Sequence, residues 1–379
     1  MTTKSLILAL AALLLLFADC KKTCDTNNPV LNITQNAAYV VNGETGNLSV
    51  IDLTTEKKTN DIELDCASFP HHIYLSPNKN LLAVAIVGAD LSGGHAGHGS
   101  SASGFRVVIV DAVKGTVHHT ITLDKSPHNA IFTPDGKELW VGQQEAGTAN
   151  KILIFTTTDF SKTGEITVGK GLSEVTFSTD GTKAFATNTE ENTVSVIKIA
   201  EKTVEKTISV GTTPVGAWAA TNGKMYADSE GAKTVSEIDV ATATLTETIT
   251  LGFTPGYVAF NKSNNELWIS DATNGKVIWY KKVNSLWAKQ GDLATGTDAH
   301  AIVFNADGTK AYVTNQGAAS VSIINVSTHT KIIDITVGTK PNGLVLKNIL
   351  NRQIFDLLND LTALIGNEFK AVPCQSCFQ

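Results

Sequence analysis

Apolar residues fall in short runs of five or six along most of this chain, and each run is cut off by a polar turn. One such phrase returns seven times: "AYVVN" (38–42), "LAVAI" (82–86), "LWVGQ" (139–143), "AFATN" (184–188), "MYADS" (225–229), "LWISD" (267–271) and "AYVTN" (311–315). A second run follows each of them, as in "LSVIDL" (48–53), "RVVIVD" (106–111) and "SVSIINV" (320–326). A polar turn then leads to a third run, such as "KTISVG" (206–211) or "KIIDITVG" (331–338). A fourth run leads back to the first phrase, as in "EVTFSTDGTK" (174–183) and "AIVFNADGTK" (301–310).

The runs are rich in β-branched and aromatic residues and are bounded by Asp-Gly, Asn-Gly and Thr-rich turns. Those are the marks of antiparallel strands joined by hairpins. Four strands at a period of roughly forty residues make the blade of a β-propeller. A single blade cannot bury both its faces, whereas seven around an axis can, and the ring also protects sheet edges. The expected fold is all-β: a seven-bladed β-propeller of four-stranded antiparallel blades over residues 36–348.

The phrases "AYVTN", "VGTKP" and "NADGTK" resemble those of the YVTN-repeat β-propellers, a family of exported, surface-layer-like proteins. The resemblance covers roughly residues 36–348 and implies the fold. It assigns no chemistry.

Ring closure can be read as well. The first repeat starts at "AYVVN" without a full inner strand before it, and the last overruns into "KPNGLVLKN" (340–348). Residues 342–348 are expected to complete the first blade, with "PVLNIT" (29–34) as the alternative. Beyond the ring, residues 349–379 hold an amphipathic stretch and a terminal "CQSC" (374–377). Ile354, Phe355, Leu357, Leu358, Leu361, Leu364, Ile365 and Phe369 fall at helical spacing, which predicts a short C-terminal helix with one apolar stripe.

The N-terminus changes the setting. Lys4 precedes an apolar run from Leu6 to Phe17, too short to span a bilayer comfortably but suited to the core of a secretory signal over residues 1–19. Cys20 follows it, ahead of Lys21 and Lys22, and resembles the lipid-accepting cysteine of a bacterial lipoprotein. Ordinary cleavage near Ala18 is the alternative. Residues 20–35 are the lead-in to the ring. The expected location is the periplasm or cell surface, with membrane attachment through the lipid. Export implies an oxidising compartment. Cys24, Cys66, Cys374 and Cys377 then allow three disulfide pairings, and spacing does not choose among them.

The net charge is −6, with Lys and Arg scattered singly, so no basic stripe favours nucleic acid. No GxSxG elbow, P-loop, HExxH or dinucleotide fingerprint is present. A rigid disc with loops on one face suits a protein or glycan partner, and a binding or scaffold role is the first expectation.

The histidines supply another. The bulky apolar residue before each first turn gives a register mark, and four residues earlier lie His71, His128, Ser173, Pro214, Gly256, His300 and Asn342, at the head of each inner strand. Three histidines in one repeat column, on blades close together in the ring, crowd one side of the channel mouth. His72 is adjacent to His71. The second repeat carries a Gly- and Ser-rich insertion on the same face, with His95 and His98. His71, His128 and His300, assisted by His72, His95 or His98, are therefore candidate ligands for copper or zinc, which neutral imidazole binds through a ring nitrogen. His118, His119 and His329 map to outer strands or turns and are expected at the surface. Glu174, Glu190, Glu191 and Asp298 fall near the same face. A lactonase-like activity would need an acid–base pair converging in the channel.

Overall fold

The computed structural model describes residues 29–91 and 104–348. They form seven four-stranded antiparallel sheets arranged as a propeller, with no helix among the described residues. Blade 2 spans Pro70 to Thr122, blade 3 Pro127 to Lys170, blade 4 Leu172 to Ser209, blade 5 Pro214 to Thr250, blade 6 Pro255 to Ala294 and blade 7 Ala299 to Thr336.

Blade 1 is made from both ends of the ring. Its inner strand, Pro341–Lys347, pairs with Ala37–Asn42, setting Leu346 opposite Ala38 and Leu344 opposite Val40. The expected closure by the C-terminal strand is what the structure has. The alternative filler, around residues 29–34, lies elsewhere: Leu31 N donates to Lys114 O (2.7 Å) and Ile33 N to Val113 O (2.9 Å). Ile33 is buried there in the apolar layer between blades 1 and 2. Lys347, also buried, donates from Nζ to Ile33 O (3.0 Å) and Ala112 O (3.1 Å), tying the lead-in to the closing strand.

The apolar runs are continuous because the middle strands are covered on both faces by neighbouring blades. One such layer joins Tyr39 and Val41 of blade 1 to Leu82, Val84 and Val108 of blade 2. The outer strands are mostly exposed, and most are anchored by an inward isoleucine, including Ile62, Ile121, Ile208, Ile249 and Ile335, whereas Leu286–Ala294 of blade 6 has none. This accounts for the repeated third run: polar residues flank a single apolar position that turns inward.

The inner strands share a feature that shapes the centre. In blades 2 to 7 the ladder to the next strand slips near its start, as between Pro70 and Ile73, Pro127 and Ala130, or Leu172 and Val175. Such a bulge re-aims side chains that strict alternation would send to opposite faces. The bulge falls on His71 and His72. Phe69, just before them, takes a left-handed φ of 52°, as do Thr213 (56°), Asp298 (54°) and Lys340 (52°) at the matching point of other blades. The chain thus makes a sharp entry into the inner strand, and Pro70 then fixes the strand's first φ.

The register mark slips in one blade. Pro214 pairs with Ser229 as Pro70 pairs with Ile86, so Val215, not Pro214, shares the column of His71. The strand ends on the small Ala219, and the bulky residue used as the mark, Trp218, comes one position early.

Candidate metal centre

Three imidazoles meet at the head of the inner strands of blades 2 and 3. His71, His72 and His128 are 2%, 5% and 1% exposed. Each offers a ring nitrogen, and these atoms all lie within 4.8 Å of one another. Ring centroids are 4.2 Å apart for His71 and His72, 4.7 Å for His71 and His128, and 5.1 Å for His72 and His128.

A carboxylate completes the group. Glu174, at the third position of blade 4's inner strand, is fully buried. Its Oε2 is 3.2 Å from His128 Nδ1 and 3.5 Å from His72 Nε2. Its Oε1 accepts from Asn129 Nδ2 (2.7 Å) and from the Tyr74 hydroxyl. Asn129 is itself fixed, donating to Val175 O (2.7 Å) and accepting from Val175 N (3.3 Å). Burial, with the nearby charge of Asp228 adding to it, pushes the Glu174 carboxyl up to about 8, while the hydrogen bonds from Tyr74 and Asn129 pull the other way. Burial and the Glu174 charge together push the Tyr74 hydroxyl well above its ordinary range.

Further round the ring, Trp218 Nε1 donates to buried Asp228 Oδ1 (2.6 Å). The Trp218 ring lies 3.7 Å from that of Tyr257, centroid to centroid, and 6.2 Å from that of His72. The centre is therefore a compact set of imidazoles with one carboxylate, backed by aromatic rings and an amide. Donor nitrogens and a carboxyl oxygen of this kind suit zinc or copper, and a bound cation would favour the ionised carboxylate.

The sequence candidates divide. His71, His72 and His128 come together. His300 does not join them: its Nδ1 is 2.9 Å from Asn342 O, and its ring faces Tyr257 at 6.4 Å. The column argument placed it correctly at a strand head, but the blade 1 backbone stands between it and His71. His95 and His98 lie outside the described residues, as do Cys20, Cys24, Cys374, Cys377 and the expected C-terminal helix. Cys66 is disulfide-bonded. His118 and His119 are exposed on an outer strand, His119 stacking on Phe160 at 5.0 Å. His329 is more engaged than expected, stacked on Trp279 at 4.1 Å with Nε2 3.0 Å from the Glu266 carboxylate. Glu190 binds the Gly147 amide (3.0 Å) instead of the centre. Sequence reasoning noted Glu174 only as a carboxylate on this face and did not pick out Tyr74, Asn129 or Asp228. A carboxylate in the column next to the histidines was the available signal.

No protein-family model matches the chain, and no curated protein sequence matches it. Solved structures do. The periplasmic gluconolactonase of Pseudomonas aeruginosa superposes with a TM-score of 0.68 at 14% identity, covering 83% of this chain and 99% of that one. A putative 6-phosphogluconolactonase from Bacteroides fragilis gives 0.65 at 17% identity, with 83% and 99% covered. The hydrazine synthase of Kuenenia stuttgartiensis gives 0.59 at 17% identity, with 74% and 92% covered. At these identities the likeness is one of fold, and the chain is a seven-bladed β-propeller of the architecture that these enzymes share.

Proposed function

We propose that this chain is an exported β-propeller that binds a transition metal, copper or zinc, through His71, His72 and His128, with Glu174 as a fourth ligand or as the charge that balances the ion. The observation that carries this reading is the convergence of three buried ring nitrogens within 4.8 Å of one another. Ligands at about 2.0–2.1 Å from a tetrahedral ion stand roughly 3.3 Å apart, so small side-chain rotations suffice. Burying three imidazoles around a cation is costly without a counter-charge, and Glu174 provides one. Glu174 Oε1 is held by Tyr74 and Asn129, which leaves Oε2 turned to the histidines.

Export rests on the signal-like N-terminus and is supported by the periplasmic neighbour. Attachment through Cys20, kinship with the YVTN-repeat propellers and a protein or glycan partner on the histidine-bearing face belong to the same reading. A metal role now stands ahead of a purely scaffolding one, since a scaffold has no need of clustered buried imidazoles.

A second reading, lactone hydrolysis, is favoured by the names of two neighbours and by the electrostatic coupling of buried Glu174 and Asp228. Water would add to the carbonyl, the ring C–O bond would break as Glu174 protonates the leaving alkoxide, and the proton that the added water sheds would return to Glu174.

The test is metal content by plasma mass spectrometry on untagged mature protein supplemented with copper and zinc. Near-stoichiometric metal in the wild type, lost in a folded His72→Ala/His128→Ala variant, is expected. Negligible metal in both, with turnover of glucono-lactone in chelator, would replace the metal reading by the second.

A further inference from the structure

The metal centre sits at one end of the central channel, and two neighbouring cavities that share lining residues occupy the other end. One, of about 350 Å³, is lined by His72, Tyr74, Leu75, Tyr257 and Leu344 among others. The second, of about 390 Å³, shares Tyr74, Tyr257, Val303, Phe304 and Ala306 with it and adds Trp218 and Ile131. These walls come from the later halves of the inner strands and the turns after them. That is the face opposite to the strand heads where His71 and His128 begin. The passage ends on His72, itself part of the imidazole cluster.

The lining has a definite chemistry. No Lys, Arg, Asp or Glu is among the described residues of the cavity that reaches His72. The other carries one charged residue, Lys262. A phosphate or carboxylate in the cavity that reaches His72 would lose its hydration without a paired cation. The outer cavity also has Thr176, Thr221, Asn261 and Asn305, but next to His72 a polyol would strand several hydroxyls against Leu, Val and Phe side chains. Aromatic faces are plentiful, and a dry apolar cavity of about 150 Å³ is enough to hold benzene. The polar groups at the inner end are few: the His72 imidazole and the tyrosines.

We infer that the centre receives its small-molecule ligand from this opposite face, through the aromatic channel, and that the ligand is a small, uncharged, single-ring compound carrying one oxygen. The ring lies against Tyr74, Tyr257 and the apolar wall, and the oxygen points to His72 and the ion beside it. The ligand's role at the ion rests on the metal reading above, whereas its binding in the cavity does not.

Phenol is the probe. It is titrated by calorimetry into the full mature chain, metal-free and metal-loaded, beside inorganic phosphate and glucono-lactone. Phenol is expected to bind both forms, the loaded one more tightly, while phosphate and the lactone give no heat. Ala306 is exposed at a turn and lines both cavities, so Ala306→Trp plugs the passage and is expected to weaken phenol at least tenfold with metal content unchanged. Val303→Phe narrows it from another wall and serves if the first variant does not fold. Phenol binding in a protein that takes up no metal would sink the metal reading and keep the channel. Metal uptake without phenol binding, or phenol bound equally by the plugged variants, overturns the channel alone.

Discussion

Oε2 of Glu174, on blade 4, stands 3.2 Å from Nδ1 of His128, on blade 3, with both side chains sealed from solvent. The two residues are 46 positions apart in sequence terms of one repeat, and the ring brings them together only because each heads a neighbouring inner strand.

That contact makes Glu174→Gln informative. The amide keeps the size and can still meet Asn129 and Tyr74, but it cannot ionise beside a bound cation as the carboxyl can. Metal affinity is expected to fall about 10–100-fold, the range typical of groups that support metal-bound histidines. Competition with a chelating dye measures it. An unchanged affinity would put the carboxylate outside the ion's influence.

The same residue sets a pH dependence in the metal-free protein. Glu174 titrates near 4.5 when the chain is unfolded and near 8 when it is folded, chiefly through burial. Between those values the unfolded chain holds fewer protons than the native one, so this group makes stability fall as pH rises from about 4.5 to about 8. Thermal unfolding at several pH values across that window should show the decline, and Glu174→Gln should flatten it. A wild type and a variant with parallel pH profiles would refute the assignment.

His300 and His72 should behave differently. His300 is turned to Asn342 O at 2.9 Å, whereas His72 Nε2 is 3.5 Å from Glu174 Oε2 within the imidazole group. His300→Ala is expected to retain full metal content, and His72→Ala to lose most of it. Plasma mass spectrometry on the two purified variants decides, and metal loss in His300→Ala would extend the centre to blade 7.

Ring closure offers a stability test. Lys347 is buried and donates to Ile33 O and Ala112 O, and burial lowers its ammonium below the ordinary range. Lys347→Met keeps the apolar stem and removes the donor, leaving Ile33 O without this bond. A loss of about 1–3 kcal/mol is expected, the cost of stranding a buried polar group. Denaturant unfolding reads it, and an unchanged midpoint would mean that the lead-in is held by its backbone bonds to Val113 and Lys114 alone.

The strand pattern, the blade count and the closing strand were legible because they are set by local chemistry. Apolar runs of strand length return in every blade, and Asp-Gly turns and an inward isoleucine recur in several of them. The histidine column was legible in part. It found His71, His128 and His300 as strand heads, yet it treated the heads as equivalent. Trp218 shows how the reading slips: a bulky residue one place early shifted blade 5 by one position, and Val215, not Pro214, holds the column.

What the sequence determined by itself was the propeller, since hydrophobic periodicity and turn chemistry act over a few residues and leave little choice once repeated around an axis. What only the tertiary structure decided was which polar residues share the axis. A bulge at Pro70–Ile73 brings His72 in beside His71, burial raises Glu174, and Asn342's carbonyl engages His300. Those outcomes depend on local bulge geometry and on which blades are neighbours, and distances between blades are written in no short stretch of the chain.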